Sequence, residues 1–328
     1  MWAYVVRRVI ATIPVMAIVA LFVFSLLYIA PGDPAAVIAG DQATPQDVER
    51  IRASLGLDQP YLVRFADWLM RVLRGDLGTS IFTNLPVSLM ISQRIAPTLS
   101  LMVVTLILSI GVAVPLGVIA AWQNGTWIDR LVMGFAVFGF SIPVFVTGYL
   151  LAYVFALDGL GFADWIYNTT GIDIPLLPVQ GYTPLSEGFG PFMANLILPA
   201  IALGSVYIAL IARITRATMM EVLQQDYVRT AKAKGVGTRG VLFVHGLKNA
   251  AVPIVTVIGI GIALLIGGSV VTESVFAIPG LGRLVVDAIL RRDYPVIQGV
   301  VLLFSAVYVL LNLLIDLLYT VFDPRIRY

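Results

Sequence analysis

Few residues in this chain have types and spacing suited to chemistry. There is one histidine, His245, and no cysteine. Disulfides, thiolate metal sites and cysteine nucleophiles are therefore excluded, and a lone imidazole cannot form a two-histidine metal site. The strings H-E-x-x-H, G-x-S-x-G and G-x-x-x-x-G-K-[ST] are absent. The glycine-rich "KGVGTRG" at 234–240 lacks the Lys-Ser/Thr ending and the preceding strand that a phosphate loop needs. Two acids stand in apolar runs, where charge is costly and often functional. Asp316, in "LLNLLIDLLYTVF", shares a helix face with Asn312 and reads as an ion-pair partner or as a proton relay. Glu273 closes another apolar run and reads as an interfacial carboxylate near water or as part of a gate.

The composition explains why such residues are rare. Of 328 residues, 59% are hydrophobic and 12% charged, about half the charge of a soluble domain. The mean hydropathy is +0.94. So much apolar surface requires lipid, and an all-α integral membrane fold follows. The net charge of +2 and the lack of a basic tail give no footing for nucleic acid. The apolar run 9–30 exceeds the about 7–15 residues of a signal-peptide core, so it reads as a retained span.

Six segments approach the about 20 apolar residues of a spanning helix: 9–30, 98–122, 131–157, 195–214, 250–271 and 296–322. Pro115 and Pro143 are expected to kink the second and third. With both termini inside, the inner segments hold twelve Lys and Arg residues and the outer ones nine. Six of those nine lie in the loop 31–97, and long loops count little in the positive-inside rule. The outer segment 158–194 has no basic residue but carries Asp158, Asp164, Asp173 and Glu187. An N-in, C-in, single-domain architecture over 1–328 is expected.

The outer loop has helix signals of its own. Thr44 reads as an N-cap, Pro45 as the first helical residue, Asp47 as a charge suited to the helix start, and Gly56 as a stop. A second amphipathic helix ends at Gly75, with Leu62, Phe65, Leu69, Val72 and Leu73 on one face. It would cap the spans or meet an external partner. In the fifth span Gly259, Gly261, Ala263, Gly267 and Gly268 suit close helix packing or a moving gate.

The longest polar insert of the C-terminal half is "DYVRTAKAKGVGTRGVLFVHGLKNA" at 226–250, with five basic residues and four glycines. A helix over 221–234, broken by Gly235 and Gly237, and a second helix capped by Thr238 would make a helix–turn–helix on the inner face. Ala231 and Gly235 give the first helix a shallow side suited to a partner's groove. Its basic character suits anionic lipid equally well. His245 reads as a hydrogen-bonded packing residue.

This stretch resembles the cytoplasmic signature of ABC-importer permeases in the dipeptide/oligopeptide/nickel form, most similar to the B-type dipeptide permease subunit. The D-Y-[VI]-R-T-A-[RK]-A-K-G core fits at 226–235, and H-x-L-[RK]-N-A at 245–250. In the generic importer signature His245 replaces an isoleucine and Lys248 a proline. "PGDP", "LGLDQP", "GDLGTS", "ILPAIALG" and "TESVFAIPGLGRLVVDAILRRDYPVIQG" extend the resemblance over nearly the whole chain.

The resemblance implies a non-catalytic subunit of the bacterial inner membrane. It would pair with a homologous second permease and two cytoplasmic ATPases that bind ATP and Mg, and an external binding protein would deliver substrate. The region 215–249 would couple to an ATPase through Asp226, Tyr227, Arg229, Thr230, Ala231, Lys234 and Gly235. Phe140, Pro143, Ser269, Glu273 and Phe276 are candidates for the path or its gate. This chain would bind no cofactor or metal. Peptides lead as substrate; nickel chelates, glutathione or another small solute are alternatives, as is a self-sufficient proton-coupled transporter.

Overall fold

The computed structural model describes residues 2–29, 33–39, 44–54, 56–173 and 175–322. Among these the chain forms thirteen α-helices: α1 (Trp2–Ile29), α2 (Pro34–Ala39), α3 (Pro45–Ser54), α4 (Tyr61–Leu73), α5 (Val87–Trp122), α6 (Trp127–Ser141), α7 (Val144–Phe155), α8 (Phe162–Thr170), α9 (Phe189–Leu223), α10 (Asp226–Ala233), α11 (Lys248–Val275), α12 (Leu281–Arg291) and α13 (Tyr294–Phe322). A π-helical segment, Gly240–Leu247, leads directly into α11. No strand occurs among the described residues. The side chains of Asp47 and Asp316, and the residues Arg325 and Arg327, lie outside the described ones.

Among the described residues, five helical stretches are long and apolar enough to cross a membrane: Val6–Ile29, Val87–Trp122, Phe189–Leu223, Gly240–Val275 and Tyr294–Ile315. A sixth exists if α6 and α7 together make one crossing, since the pair is bent by 105°. The kink expected in the third span is thus a complete break. Pro143 has no N–H to donate, and its ring drives the preceding residue out of the helical region. Ile142 accordingly sits at φ −90°, ψ 127°. Pro115 behaves differently and is carried within α5, as is Pro97. The second and fourth spans also outrun their apolar cores, starting at Val87 and Phe189.

The described chain divides into two compact units. Of the described residues, one takes in those up to Ala96 together with Arg283–Leu313, the other Pro97–Gly282 together with those from Leu314 onward. In the first, α4 lies on α1 through aromatic rings. The Phe24 ring meets those of Tyr61, Phe65 and Trp68 at centroid distances of 5.3, 5.5 and 5.5 Å. Ser25 Oγ and Tyr61 OH are 2.7 Å apart. The buried face of α4 therefore follows Tyr61, Phe65, Trp68 and Val72, the i, i+4, i+7, i+11 positions of one stripe. Leu62 and Leu73, expected on it, are each 72% exposed because they fall one residue off that stripe. In the same unit Asp293 is buried just before α13 and accepts from Ser80 Oγ at 2.5 Å. Gly56 and Gly75 end α3 and α4 at φ +62° and +84°.

The second unit is built around α9. Leu196, Leu203, Tyr207 and Ile211 of α9 form a core with Leu101 of α5, Ala152 of α7 and Leu265 of α11. Small residues let the helix backbones approach, as expected of packing in lipid. Gly261 and Gly268 of α11 receive Tyr207 and Leu203 of α9, and Gly259 receives Ile315; Gly267 meets nothing within 4 Å. A close approach joins α5 to α9. A Cβ at Gly117 would stand 2.6 Å from Thr215 Cβ and 2.7 Å from the Ala212 carbonyl oxygen. Gly117→Ala is expected to lower the thermal midpoint of the detergent-solubilised protein through an overpacking cost of about 1–3 kcal/mol. Gly111→Ala on the same helix, where a Cβ meets nothing within 4 Å, should leave it unchanged. Equal midpoints for the two variants would contradict the α5–α9 contact.

Candidate functional site

The polar insert begins at a break that the apolar pattern did not reveal. α9 stops at Leu223, and Gln225 is extended at φ −68°, ψ 148°. The helix expected over 221–234 is thus the end of α9 followed by the separate helix α10. α10 ends in a Schellman arrangement: Val236 N–H bonds the Ala231 carbonyl, Gly235 N–H bonds that of Lys232, and Gly235 takes φ +81°. The second helix is also not separate. Val241 N–H bonds the Gly237 carbonyl, so Thr238 is already inside the turn rather than its cap, and the chain continues unbroken into α11.

α10 has an inner and an outer side. Val228 and Ala231 are buried within this chain, at 0% and 7% exposure. The shallow side expected to face a partner is therefore already used at Ala231; Gly235 alone stays open, with nothing within 4 Å of a Cβ. Asp226, Tyr227, Arg229, Thr230, Lys232 and Lys234 are exposed. Asp226 and Arg229 pair at 3.6 Å across open solvent, which contributes little to stability. Two contacts seat the helix: Lys232 Nζ lies 5.4 Å from the Trp122 ring centroid at the end of α5, and Tyr227 OH reaches the His245 carbonyl at 3.5 Å. Asn249 Nδ2 donates to the same carbonyl at 2.7 Å. The backbone of His245 is tied in here, while its imidazole makes no hydrogen bond among the described residues.

An ion pair that sequence reading missed joins α9 to α6. Arg216 of α9 donates to both oxygens of Asp129 in the first turn of α6, at 2.5 and 2.7 Å. Gly125 N–H adds a bond at 2.9 Å, and Arg216 Nη2 also reaches Asn124 Oδ1 at 3.0 Å. Asp129 is 4% exposed. Losing one partner of such a buried pair costs about 3–5 kcal/mol. The available signal was an acid two residues into a helix that follows Gly125 and Thr126.

The five path candidates fall into two groups. Ser269, Glu273 and Phe276 are all buried, at 0%, 0% and 2% exposure. Ser269 Oγ donates to the Ile266 carbonyl, and Phe276 packs where a Cβ on Gly148 of α7 would meet its ring at 3.2 Å. Glu273 is not the interfacial carboxylate expected beside water. The turn between α11 and α12 folds back over it, so that a Cβ at Gly280 would stand 2.3 Å from its carboxylate. Thr98 Oγ1 donates to Glu273 at 2.6 Å and accepts from Leu281 N–H at 2.8 Å, which ties α5 to the start of α12. Phe140 and Pro143 stand apart from these three. Pro143 forms the α6–α7 break, and Phe140, 61% exposed, lines a cavity of about 170 Å³ with Ser141, Leu210 and Arg213.

Known proteins match along the whole chain. The family described as the binding-protein-dependent transport system inner membrane component matches residues 113–328, and its N-terminal counterpart matches 1–102. A probable peptide ABC transporter permease of Sinorhizobium fredii is 54% identical over all of both chains. A glutathione transport system permease of Salmonella typhimurium is 43% identical over 99% of each. A dipeptide transport system permease of Alkalihalophilus pseudofirmus is 40% identical over all of both. With helices enough for a multi-pass membrane protein and a family match over both parts of its length, the chain belongs to the inner-membrane components of binding-protein-dependent transport systems and is a permease subunit of an ABC importer.

Proposed function

We propose that this chain forms half of a path for dipeptides and oligopeptides across a bacterial inner membrane, in an N-in, C-in arrangement. A homologous second permease supplies the other half. An external binding protein delivers the peptide, and two cytoplasmic ATPases supply energy through ATP and Mg that this chain does not bind. The peptide assignment rests on the names of the relatives at 54% and 40% identity. The relative named for glutathione, itself a peptide, favours a short-peptide path of broad tolerance.

The observation that carries the coupling role is the two-sided build of α10. Its outer side presents Asp226, Tyr227, Arg229, Thr230 and Lys234, with the open Gly235 at its end. Its inner side is seated by Val228 and Ala231, with Lys232 on Trp122. A partner gripping the outer side moves α9, α5 and the π-helical segment with it. Free energy enters only if the partner's contacts differ between its states.

Reconstitution with the second permease, both ATPases and the binding protein should give labelled dipeptide uptake that needs ATP and the binding protein. Uptake by this chain alone under a proton gradient would overturn the reading. Thr230→Trp adds bulk on the exposed side. It should leave the thermal midpoint within the range of surface changes, about 0.5 kcal/mol, yet reduce uptake and binding-protein-stimulated ATP hydrolysis together. Ala231→Trp should instead lower stability by about 1–3 kcal/mol, because Ala231 packs inside the chain. Full uptake by Thr230→Trp would remove the proposed docking side.

A further inference from the structure

α6 and α9 are pinned together at two levels. At one, Gly139 rests on α9 so closely that a Cβ would stand 3.3 Å from the Ser205 carbonyl oxygen. At the other, Asp129 holds Arg216 by two hydrogen bonds. Ser205 and Arg216 are about 16 Å apart along the helix at 1.5 Å per residue. A cavity of about 170 Å³ lies against this stretch of α9 and extends along α6 past the Gly139 contact, lined by Met133, Ala136, Phe140, Ser141, Ala209 and Arg213 among others. Over residues 201–220 of this otherwise enclosed helix, only Arg213 and Ala217 are exposed.

Charge does not balance in this gap. Two arginines of α9 stand one turn apart, and Asp129 is the acid beside them. Its two oxygens are taken by Arg216 and Gly125 N–H. Arg213 has no acidic partner among the described residues. Ser141 does not compensate it, since its hydroxyl turns to the Val137 carbonyl at 2.8 Å. A guanidinium is always charged and presents a fork that fits a carboxylate with two bonds. A charge on a spanning helix is costly, and an apolar wall around it strengthens its pull on an anion.

The size of the gap says how much of a ligand it takes. Pockets that enclose a whole small molecule run to about 300–1,000 Å³. This one is smaller and therefore receives one end of a longer ligand. Peptides of differing sequence share only a backbone and two termini, and their constant anionic group is the C-terminal carboxylate. The geometry points to Arg213 as a subsite for the C-terminal carboxylate of the transported peptide, beside Phe140 and Ser141 at the α6–α7 break. This assignment rests on the peptide reading proposed above.

The test uses the whole transporter in phosphatidylethanolamine–phosphatidylglycerol vesicles, with binding protein saturated by either dialanine or dialanine amide. The binding protein is common to every arm, so a change in the acid-to-amide uptake ratio reports on the permease. Arg213→Gln should lower that ratio by about tenfold or more, the loss expected when a charge-assisted bond is removed, by slowing the acid and sparing the amide. Arg213→Lys should restore part of it. The thermal midpoint should not move. An unchanged ratio, or equal loss of both substrates, would overturn the assignment. So would a defect that tracks the phosphatidylglycerol fraction at constant ratio, which would give Arg213 to a lipid headgroup. Absence of uptake of any dipeptide by the unaltered transporter would sink the peptide reading itself, and is distinct from these outcomes.

Discussion

Inside hydrocarbon, a backbone N–H or carbonyl without a partner costs several kcal/mol. Everything irregular in this chain is arranged around that constraint. The long helices α1, α5, α9, α11 and α13 pair their backbones internally, and four of them carry proline within the helix. The exceptions are local and each has a cause. Pro143 splits α6 from α7. The π-helical segment at Gly240–Leu247 feeds α11 without a break. Ala277, at φ +49°, turns the chain from α11 toward α12 over the Glu273 carboxylate.

The same constraint decides where buried acids stand. Asp129 is in the first turn of α6, Asp293 immediately precedes α13, and Glu273 shares Thr98 with the first N–H of α12. A helix start has unpaired N–H groups and a partial positive charge, so a carboxylate is stabilised there. Each acid also reaches a residue far away in sequence: Arg216, Ser80 and Thr98 respectively. These contacts fix where one helix begins against the body of another. They act as positioning bonds, each within its own compact unit.

Much of this was legible in the sequence. Apolar length gave the long helices, and the family pattern singled out the insert. What escaped depended on tertiary partners. Gln225 looks like any polar helical residue, yet the chain turns there to seat Val228 and Ala231. Leu62 and Leu73 look like the apolar face of α4, but the aromatic stripe that meets Phe24 outcompetes them. Glu273 reads as interfacial because nothing local shows that Gly280 and Gly282 fold back onto it. Asp129 and Arg216 are 87 residues apart, and periodicity carries no information over that distance.

The placement of α10 relative to α9 bears on how force could pass. Among the described residues α9 is the most enclosed of the long apolar helices, and α10 follows it after two residues, of which Gln225 is extended. A displacement of α10 cannot be absorbed by a slack linker. It must move α9 or pull Lys232 off Trp122. α9 in turn holds α6 through Arg216 and Asp129, and the gap around Arg213 lies against the same stretch of α9. A shift of α9 along its axis would therefore act on the gap and on the Arg216–Asp129 bond together. Arg213 stands one turn before Arg216 on the same helix, so whatever moves α9 moves the cation and the anchor together.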